Sequence, residues 1–279
     1  MTMGPTRSRL DAELVRRKLA RSRGQAAELI AAGRVVVNGM PAAKPATVVD
    51  RDAPVLVRPD DAGEPDWASR GAKKLLGALD AFTGVDPAGR RCLDAGASTG
   101  GFTDVLLTRG AAEVVAVDVG YGQLVWRLQS DERVHVHDRT NVRALEPAQI
   151  GGPVDLTVAD LSFISLRTVL PALAACTAPG GDLLPMVKPQ FEVGKDRLGS
   201  GGVVRDPGLR TEALHGVATA AAAAGLQVLG ATASPLPGPS GNVEYFLHLR
   251  RPADGPAGVA PAQPELAPML AAAVADGPA

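Results

Sequence analysis

Apolar positions recur along this chain with two periods, and the switch between them lays out the elements. Between residues 10 and 32 the spacing is helical: Leu10, Leu14, Val15 and Leu19 share one face. After Ser22, a residue suited to capping, Ala26, Leu29 and Ile30 share the inward face of a second helix expected over 23–32. Gly33 ends it, and Val35-Val36-Val37-Asn38-Gly39 predicts a strand entering a tight hairpin. Residues 58–66 are polar and proline-bearing, which marks a linker; Trp67 after it is an expected packing anchor. From Ser69 to about Phe82 the period is helical again.

Beyond that point, short apolar runs alternate with helical stretches. Strands are expected up to Asp94, over Val114–Val117 before Asp118, at 134–137, over 154–159 before Asp160, and over 182–187 before Lys188. Helices are expected at 166–177 and 208–224, then strands 226–233 and 243–250 with no helix between them. Such alternation predicts an α/β domain, a mostly parallel, doubly wound sheet with helices on both faces and a final antiparallel strand. Pro185 is a difficulty, because an interior strand loses a ladder bond there, and a bulge or a late strand start would be needed. Residues 252–279 are Ala/Pro-rich and are expected to form a mobile tail with a short helix at 265–275. The implied organisation is a small α+β domain over 1–63, a linker over 64–70, a larger domain over 71–251 and the tail.

Composition supports alanine-rich helices over an aliphatic sheet, since aromatic residues make up only 3% of the chain. No window holds 18 uninterrupted apolar residues and no signal-peptide core opens the chain, so a soluble, cytoplasmic protein with no membrane partner is expected. Cys92 and Cys176 sit in apolar runs and read as buried free thiols; neither they nor the four histidines have metal-ligand spacing. The net charge of −1 becomes informative once divided: residues 7–44 hold nine Arg or Lys against three acids. An excess of six positive charges in so short a stretch points to a polyanion partner.

The chemistry concentrates in Cys92-Leu93-Asp94-Ala95-Gly96-Ala97-Ser98-Thr99-Gly100-Gly101-Phe102-Thr103. Glycines at 96, 100 and 101 let a backbone approach a ligand closely, and a helix starting near Gly100 would aim its free N–H groups at that ligand. A NAD site would read G-x-G-x-x-G; here the glycines run G-x-x-x-G-G behind an acid, which suits adenosine with an amino-acid tail, hence S-adenosylmethionine. Asp94 with Gly96, Ala97, Ser98, Gly100, Gly101 and Phe102 would hold the methionine part. Asp118, ending the next strand, would take the ribose diol, and Asp138 the adenine amino group; Asp160 would border the same pocket. In parallel sheets the working residues lie at the carboxyl ends of strands. Asp160 and Lys188 fit that rule, Lys74 lies on the preceding helix, and an antiparallel last strand would bring Glu244 to the same rim.

The runs R-L-D-x-x-L-V, L-A-R-S-R and A-x-x-L-I-x-x-G-x-V-x-V-N-G, with Lys44-Pro45, resemble the S4 RNA-binding module. That resemblance implies phosphate contacts, for which Arg7, Arg9, Lys18, Arg21, Arg23 and Arg34 are the candidates. The runs S-R-G-x-x-K-L, D-A-G-A-S-T-G-G-F-T-D, V-D-V-G-Y-G-Q-L, D-R-T-N-V-R, D-L-S-F-I-S-L, V-K-P-Q-F-E-V-G-K, G-G-V-V-R-D-P and G-N-V-E-Y-F-L resemble the TlyA family. These are two-domain ribosomal RNA 2′-O-methyltransferases, once labelled hemolysins, whose catalytic domain is similar to the FtsJ/RrmJ enzymes. The resemblance implies a Rossmann-like methyltransferase sheet and a Lys-Asp-Lys-Glu catalytic tetrad at Lys74, Asp160, Lys188 and Glu244. It also implies cytidine ribose in ribosomal RNA, within ribosomal subunits, as substrate. Lys188 is the expected base, with Lys74 and burial favouring its neutral form. Phe163 and Phe191 flank these positions and could equally stack on a flipped-out base or pack in the core.

Two other readings compete. A base-directed methyltransferase would carry Asn/Asp-Pro-Pro-aromatic or a nucleophilic cysteine where Asp160-Leu161-Ser162-Phe163 stands. A non-catalytic RNA-binding or hemolysin-like protein could keep the fold without the activity.

Overall fold

A computed structural model of the chain describes residues 7–58, 65–253 and 266–277. It divides into two compact units, Met1–Asp66 and Trp67–Ala279.

The first unit contains β1 (Arg7–Arg9), α1 (Leu10–Arg16), α2 (Arg23–Ala31), β2 (Val35–Val37), β3 (Met40–Pro41), β4 (Val48–Asp50) and β5 (Val55–Val57). The Ser22 hydroxyl accepts from the Gln25 N–H at 3.1 Å, as an N-cap should. Asn38 and Gly39 both have positive φ, 51° and 82°, the pair of left-handed residues that a two-residue hairpin needs to turn β2 into β3. The apolar faces read from the sequence meet in one small core of Leu10, Leu14, Ala20, Ala26, Ile30, Val35 and Val49.

The second unit starts with α3 (Gly71–Ala81), β6 (Arg91–Ala95), α4 (Gly101–Thr108), β7 (Glu113–Val117), α5 (Trp126–Gln129) and β8 (Val134–His137). It continues with β9 (Val154–Ala159), α6 (Leu166–Cys176), β10 (Thr177–Val187), α7 (Pro207–Ala223), β11 (Gln227–Ala233), β12 (Tyr245–Arg250) and α8 (Leu266–Ala275). Seven strands form one sheet in the order β11-β12-β10-β9-β6-β7-β8. The pairs from β10 through β8 are parallel, and β12 runs antiparallel between β10 and β11. Alternation along β6 shows how the sheet is buried on both faces: Leu93 and Ala95 enter one core with α6, α7 and α8, while Cys92 enters the other with α3 and α4. The first strand, β6, lies between β7 and β9, so the order reverses there and a crevice opens at its carboxyl end. Among the described residues, no helix is long and apolar enough to cross a membrane.

Pro185 does lie in an interior strand, opposite Ala159 of β9. Neither a bulge at that point nor a late start admits it. The ladder to β12 pairs Asp182, Leu183, Met186 and Val187 in one register and skips Leu184 and Pro185, so the missing N–H is accommodated as a local gap on that side.

The tail also differs from expectation. Leu270, Ala273 and Val274 of α8 are buried, and Leu270 and Val274 join the core that contains α7. Helix α8 is therefore docked rather than mobile, because a stripe of apolar residues at helical spacing had a place to be covered. Residues 254–265 and 278–279 lie outside the described residues. Of the stretch read as a linker, residues 59–64 lie outside the described residues; beyond them Ala68 is buried, and its N–H donates to Asp104 Oδ2 at 2.8 Å.

Candidate active site at the carboxyl ends of the strands

The glycine turn after β6 is built from inside. Gly96 and Gly100 have φ of +88° and +101°, which favours glycine, and the side they leave bare faces protein. A Cβ at Gly96 would lie 2.6 Å from the Asp160 carbonyl oxygen, one at Gly100 2.3 Å from Leu128 Cδ1, and one at Gly101 2.2 Å from Ser69 Oγ. On that side the bare backbone lets the turn nest against β9, α5 and the start of α3, a second reason for glycine at these positions. Ala97 is buried too, and Phe102, expected among cofactor residues, packs its ring in the core against Phe246 with centroids 6.1 Å apart.

The acids around the turn are better placed. Asp94 is fully buried; its Oδ2 accepts from the Thr103 N–H at 2.8 Å and the Thr103 hydroxyl at 2.7 Å. Burial pushes its carboxyl up to about 7, the Thr103 bonds oppose that rise, and the charges of Asp160 and Asp118 add to it. Asp118 accepts from the N–H groups of Ser98 at 2.8 Å and Gly120 at 2.7 Å, which fixes it at the end of β7 beside the turn. Asp138, after β8, accepts from the Gly122 N–H at 2.8 Å. Both stay partly exposed, with lone pairs left for a diol or an amine.

The four residues expected at the rim form two ion pairs. Lys188 Nζ lies 2.5 Å from Asp160 Oδ1 and donates to the Ser162 hydroxyl at 3.0 Å. Lys74 Nζ donates to Glu244 Oε2. Strand register explains the convergence: Ala159 pairs with Ala95 and with Pro185, and Val187 pairs with Tyr245, so Asp160, Lys188 and Glu244 each stand one residue past a paired position. Lys74, Lys188 and Glu244 are buried, and Asp160 is partly exposed.

Among the described residues, five buried side-chain atoms lack a hydrogen-bond partner: Asp94 Oδ1, Asp160 Oδ1, Gln190 Oε1, Glu244 Oε1 and the Tyr245 hydroxyl. The Tyr245 side chain enters the core shared with α7, with Arg210 beside its hydroxyl, but the oxygens of Asp94, Asp160, Gln190 and Glu244 belong to residues at or just beyond the crevice end of β6, β9, β10 and β12, where Lys188 lies against Asp160 Oδ1. Buried acceptors without donors are costly, so their gathering in one place marks a site shaped for groups that arrive with a ligand. The orphaned Asp94 Oδ1 and the partly open Asp118 supply acceptors for an amine and a diol, so the residues fit S-adenosylmethionine.

In the first unit two of the six basic candidates, Arg9 and Arg23, meet on the buried Asp11, while Arg16 and Arg17, not singled out from the sequence, meet on the buried Glu13. Asp11 accepts from Arg9 Nη2 and Arg23 Nη2, each at 2.9 Å, and Glu13 accepts from Arg16 and from Arg17 Nε at 2.7 Å. The Arg9 and Arg23 bonds hold the Asp11 carboxyl well below its usual range, burial opposing them, and the Arg16 bond leads those that hold Glu13 at about 2. Arg7 pairs with Asp50 at 3.0 Å, Arg21 Nε donates to Gln25, Arg34 Nε donates to the Arg58 carbonyl, and Lys18 is exposed with φ +59°.

Sequence reasoning missed Ser162, which holds Lys188, and Thr103, which holds Asp94. The Ser162 contact joins two separate runs of the chain, and the Thr103 contact closes the glycine stretch on itself; only the polar residue inside each quoted run hinted at them. Phe163 is 91% exposed at φ +63°, with its ring centroid 5.4 Å from that of Phe191, so this ring is no core residue.

Comparisons with known proteins place both units in known families. The family of FtsJ-like methyltransferases matches residues 67–251, and the S4 domain matches residues 8–55. The chain is 63% identical over 248 residues to the 16S/23S rRNA (cytidine-2′-O)-methyltransferase TlyA of Mycobacterium tuberculosis, covering 89% of this chain and 91% of that one. It is 43% identical over 258 residues to YqxC of Bacillus subtilis, a candidate rRNA methyltransferase, covering 92% and 90%. A solved structure from Streptococcus thermophilus, described as a candidate hemolysin, superposes with a TM-score of 0.75 at 36% identity, covering 98% of each chain. With its S4 unit, its FtsJ-like sheet and this degree of identity, the chain belongs to the TlyA family.

Proposed function

We propose that this protein methylates the 2′-hydroxyl of cytidine ribose in ribosomal RNA, using S-adenosylmethionine, with Lys74, Asp160, Lys188 and Glu244 as the catalytic tetrad. The observation that carries the reading is the meeting of two Lys–carboxylate pairs at one rim, beside a carboxylate that keeps an unpartnered oxygen. S-adenosylmethionine supplies an electrophilic methyl group when bound. Asp94 would hold its amino group, Asp118 its ribose hydroxyls and Asp138 its adenine amine.

A ribose hydroxyl is a weak nucleophile, and attack requires a group within hydrogen-bond reach to take its proton. Lys188 is the base that takes that proton. Asp160 at 2.5 Å and Ser162 at 3.0 Å fix the position of its Nζ. Lys74 on α3, clamped by Glu244 just before β12, orients the ribose. The exposed Phe163 ring stacks on the base of the target nucleotide. In the S4 unit, Arg9 and Arg23 on Asp11, with Arg16 on Glu13, present guanidinium groups already ordered for phosphate; such contacts position RNA without reading its sequence.

The relative at 63% identity is named for both 16S and 23S RNA, which favours both as substrates here, within assembled subunits. Mapping ribose methylation in both RNAs, in cells with and without the gene, tests this. New 2′-O-methylcytidines that depend on the protein are expected; an unchanged map removes the assignment.

A further inference from the structure

One buried charge near the rim is not used by the mechanism above. Glu192 is 6% exposed, four residues past Lys188, and it reaches across to the start of α6. Its Oε2 accepts from the Ser165 hydroxyl at 2.6 Å and Arg167 Nε at 3.3 Å, and its Oε1 accepts from the Leu166 N–H at 2.7 Å. Arg167 Nη2 returns to the Glu192 carbonyl at 2.7 Å. Burial raises the Glu192 carboxyl above its ordinary range, against the bonds from Ser165, Leu166 and Arg167.

A helix cap does not require this charge. Ser165 already caps α6, accepting from the Arg167 N–H at 3.2 Å. What Glu192 adds is a bridge between two loops: residues 161–165, which follow Asp160 and carry Ser162, and residues 189–192, which follow Lys188. The Phe163 and Phe191 rings meet across the same two loops. The Lys188 amine, at the root of the second loop, contacts Asp160 and Ser162 at the start of the first.

We propose that Glu192 is a positioning residue for methyl transfer, clasping the loop of Asp160 and Ser162 to the loop of Lys188 and so setting where the amine stands. This rests on the roles given to Asp160 and Lys188 above. A base displaced by a fraction of an ångström loses rate without losing ligand, so the signature is in turnover.

The test is steady-state kinetics of the full chain on ribosomal subunits, with S-adenosylmethionine affinity measured separately. Glu192→Ala is expected to lower kcat about tenfold or more while the subunit KM and the S-adenosylmethionine Kd stay within about twofold. Glu192→Gln, which still offers an acceptor to Leu166, should recover most of that loss. Because Glu192 acts through Asp160, Glu192→Ala/Asp160→Asn should be no slower than Asp160→Asn alone. Ser165→Ala, which removes one bond of the clasp, carries the same non-additivity test should Glu192→Ala fail to fold. Losses that multiply with Asp160→Asn, an effect confined to KM or Kd, or an unchanged kcat overturns the inference. If Asp160→Asn and Lys188→Met themselves keep full rate, the tetrad reading is what has failed, and the clasp loses its object with it.

Discussion

The two ends of the segment Asp182–Val187 of β10 treat buried charge in opposite ways. At its amino end Asp182 is 1% exposed and saturated: Arg90 donates at 2.8 Å, His248 Nε2 lies 2.9 Å away and Arg250 donates at 2.8 and 3.0 Å. Burial pushes this carboxyl up, and the three partners outweigh it, holding it well below the usual carboxylate range. At the carboxyl end, Lys188 and its neighbours make one strong pair each, and acceptor oxygens of Glu244 and Asp94 are left without donors. A carboxylate whose lone pairs are all taken can only tie strands together. One with an empty lone pair retains the capacity to bind something else, at a cost in stability.

The contrast is broken most directly by removing charge at each end. Lys188→Met is expected to lower the methylation rate by roughly 10²- to 10⁴-fold, measured as methyl incorporation into ribosomal subunits; full rate in this variant would dismiss Lys188 as the base. Asp182→Ala should leave turnover per folded molecule intact and cost about 2–3 kcal/mol in denaturant unfolding. That value is the low end for a broken buried pair, because Arg90 and Arg250 keep access to water. If it instead abolished turnover at unchanged stability, the two ends would not differ as argued.

A smaller effect follows from Asp94. Its carboxyl sits near 7 in the fold, above its unfolded value of about 4, so the folded chain keeps a proton that the unfolded chain has released. Its contribution to stability is therefore present at low pH and declines as pH rises from about 4 to about 7, at most about 1.4 kcal/mol per pH unit. Asp94→Asn should flatten the thermal-stability profile over that window; a profile identical to the parent would mean Asp94 is not so buried a charge. The smallest change is expected in the first unit, where acids are saturated but their arginines face water. Arg23→Ala should reduce the slope of log affinity for RNA against log salt by about 0.7–0.9, with little change in sequence preference.

Much of this was legible because strands and helices announce themselves by period, and because parallel sheets put chemistry at strand ends. The placement of Asp160 and Lys188 followed from Val154–Ala159 and Asp182–Val187 alone, and that of Glu244 from one antiparallel strand. Contacts across the fold were not legible. Nothing near Lys188 in the sequence says that its amine meets Ser162, and nothing near Asp11 says that Arg23 will share it with Arg9. The docking of α8 escaped for a related reason: a Pro- and Ala-rich approach masked a stripe whose covering surface is made by β11 and α7, elements earlier in the chain.

The glycine turn bears on how variants there should be understood. Since the absent side chains at 96, 100 and 101 are replaced by neighbouring protein atoms, a methyl group at Gly100 would act as an internal wedge against Leu124 and Leu128. Weakened nucleoside binding in Gly100→Ala would then report a helix pushed off its seat; a compensating Leu128→Ala, by emptying that space, would restore part of it without touching any ligand, the strain of alanine at φ +101° remaining.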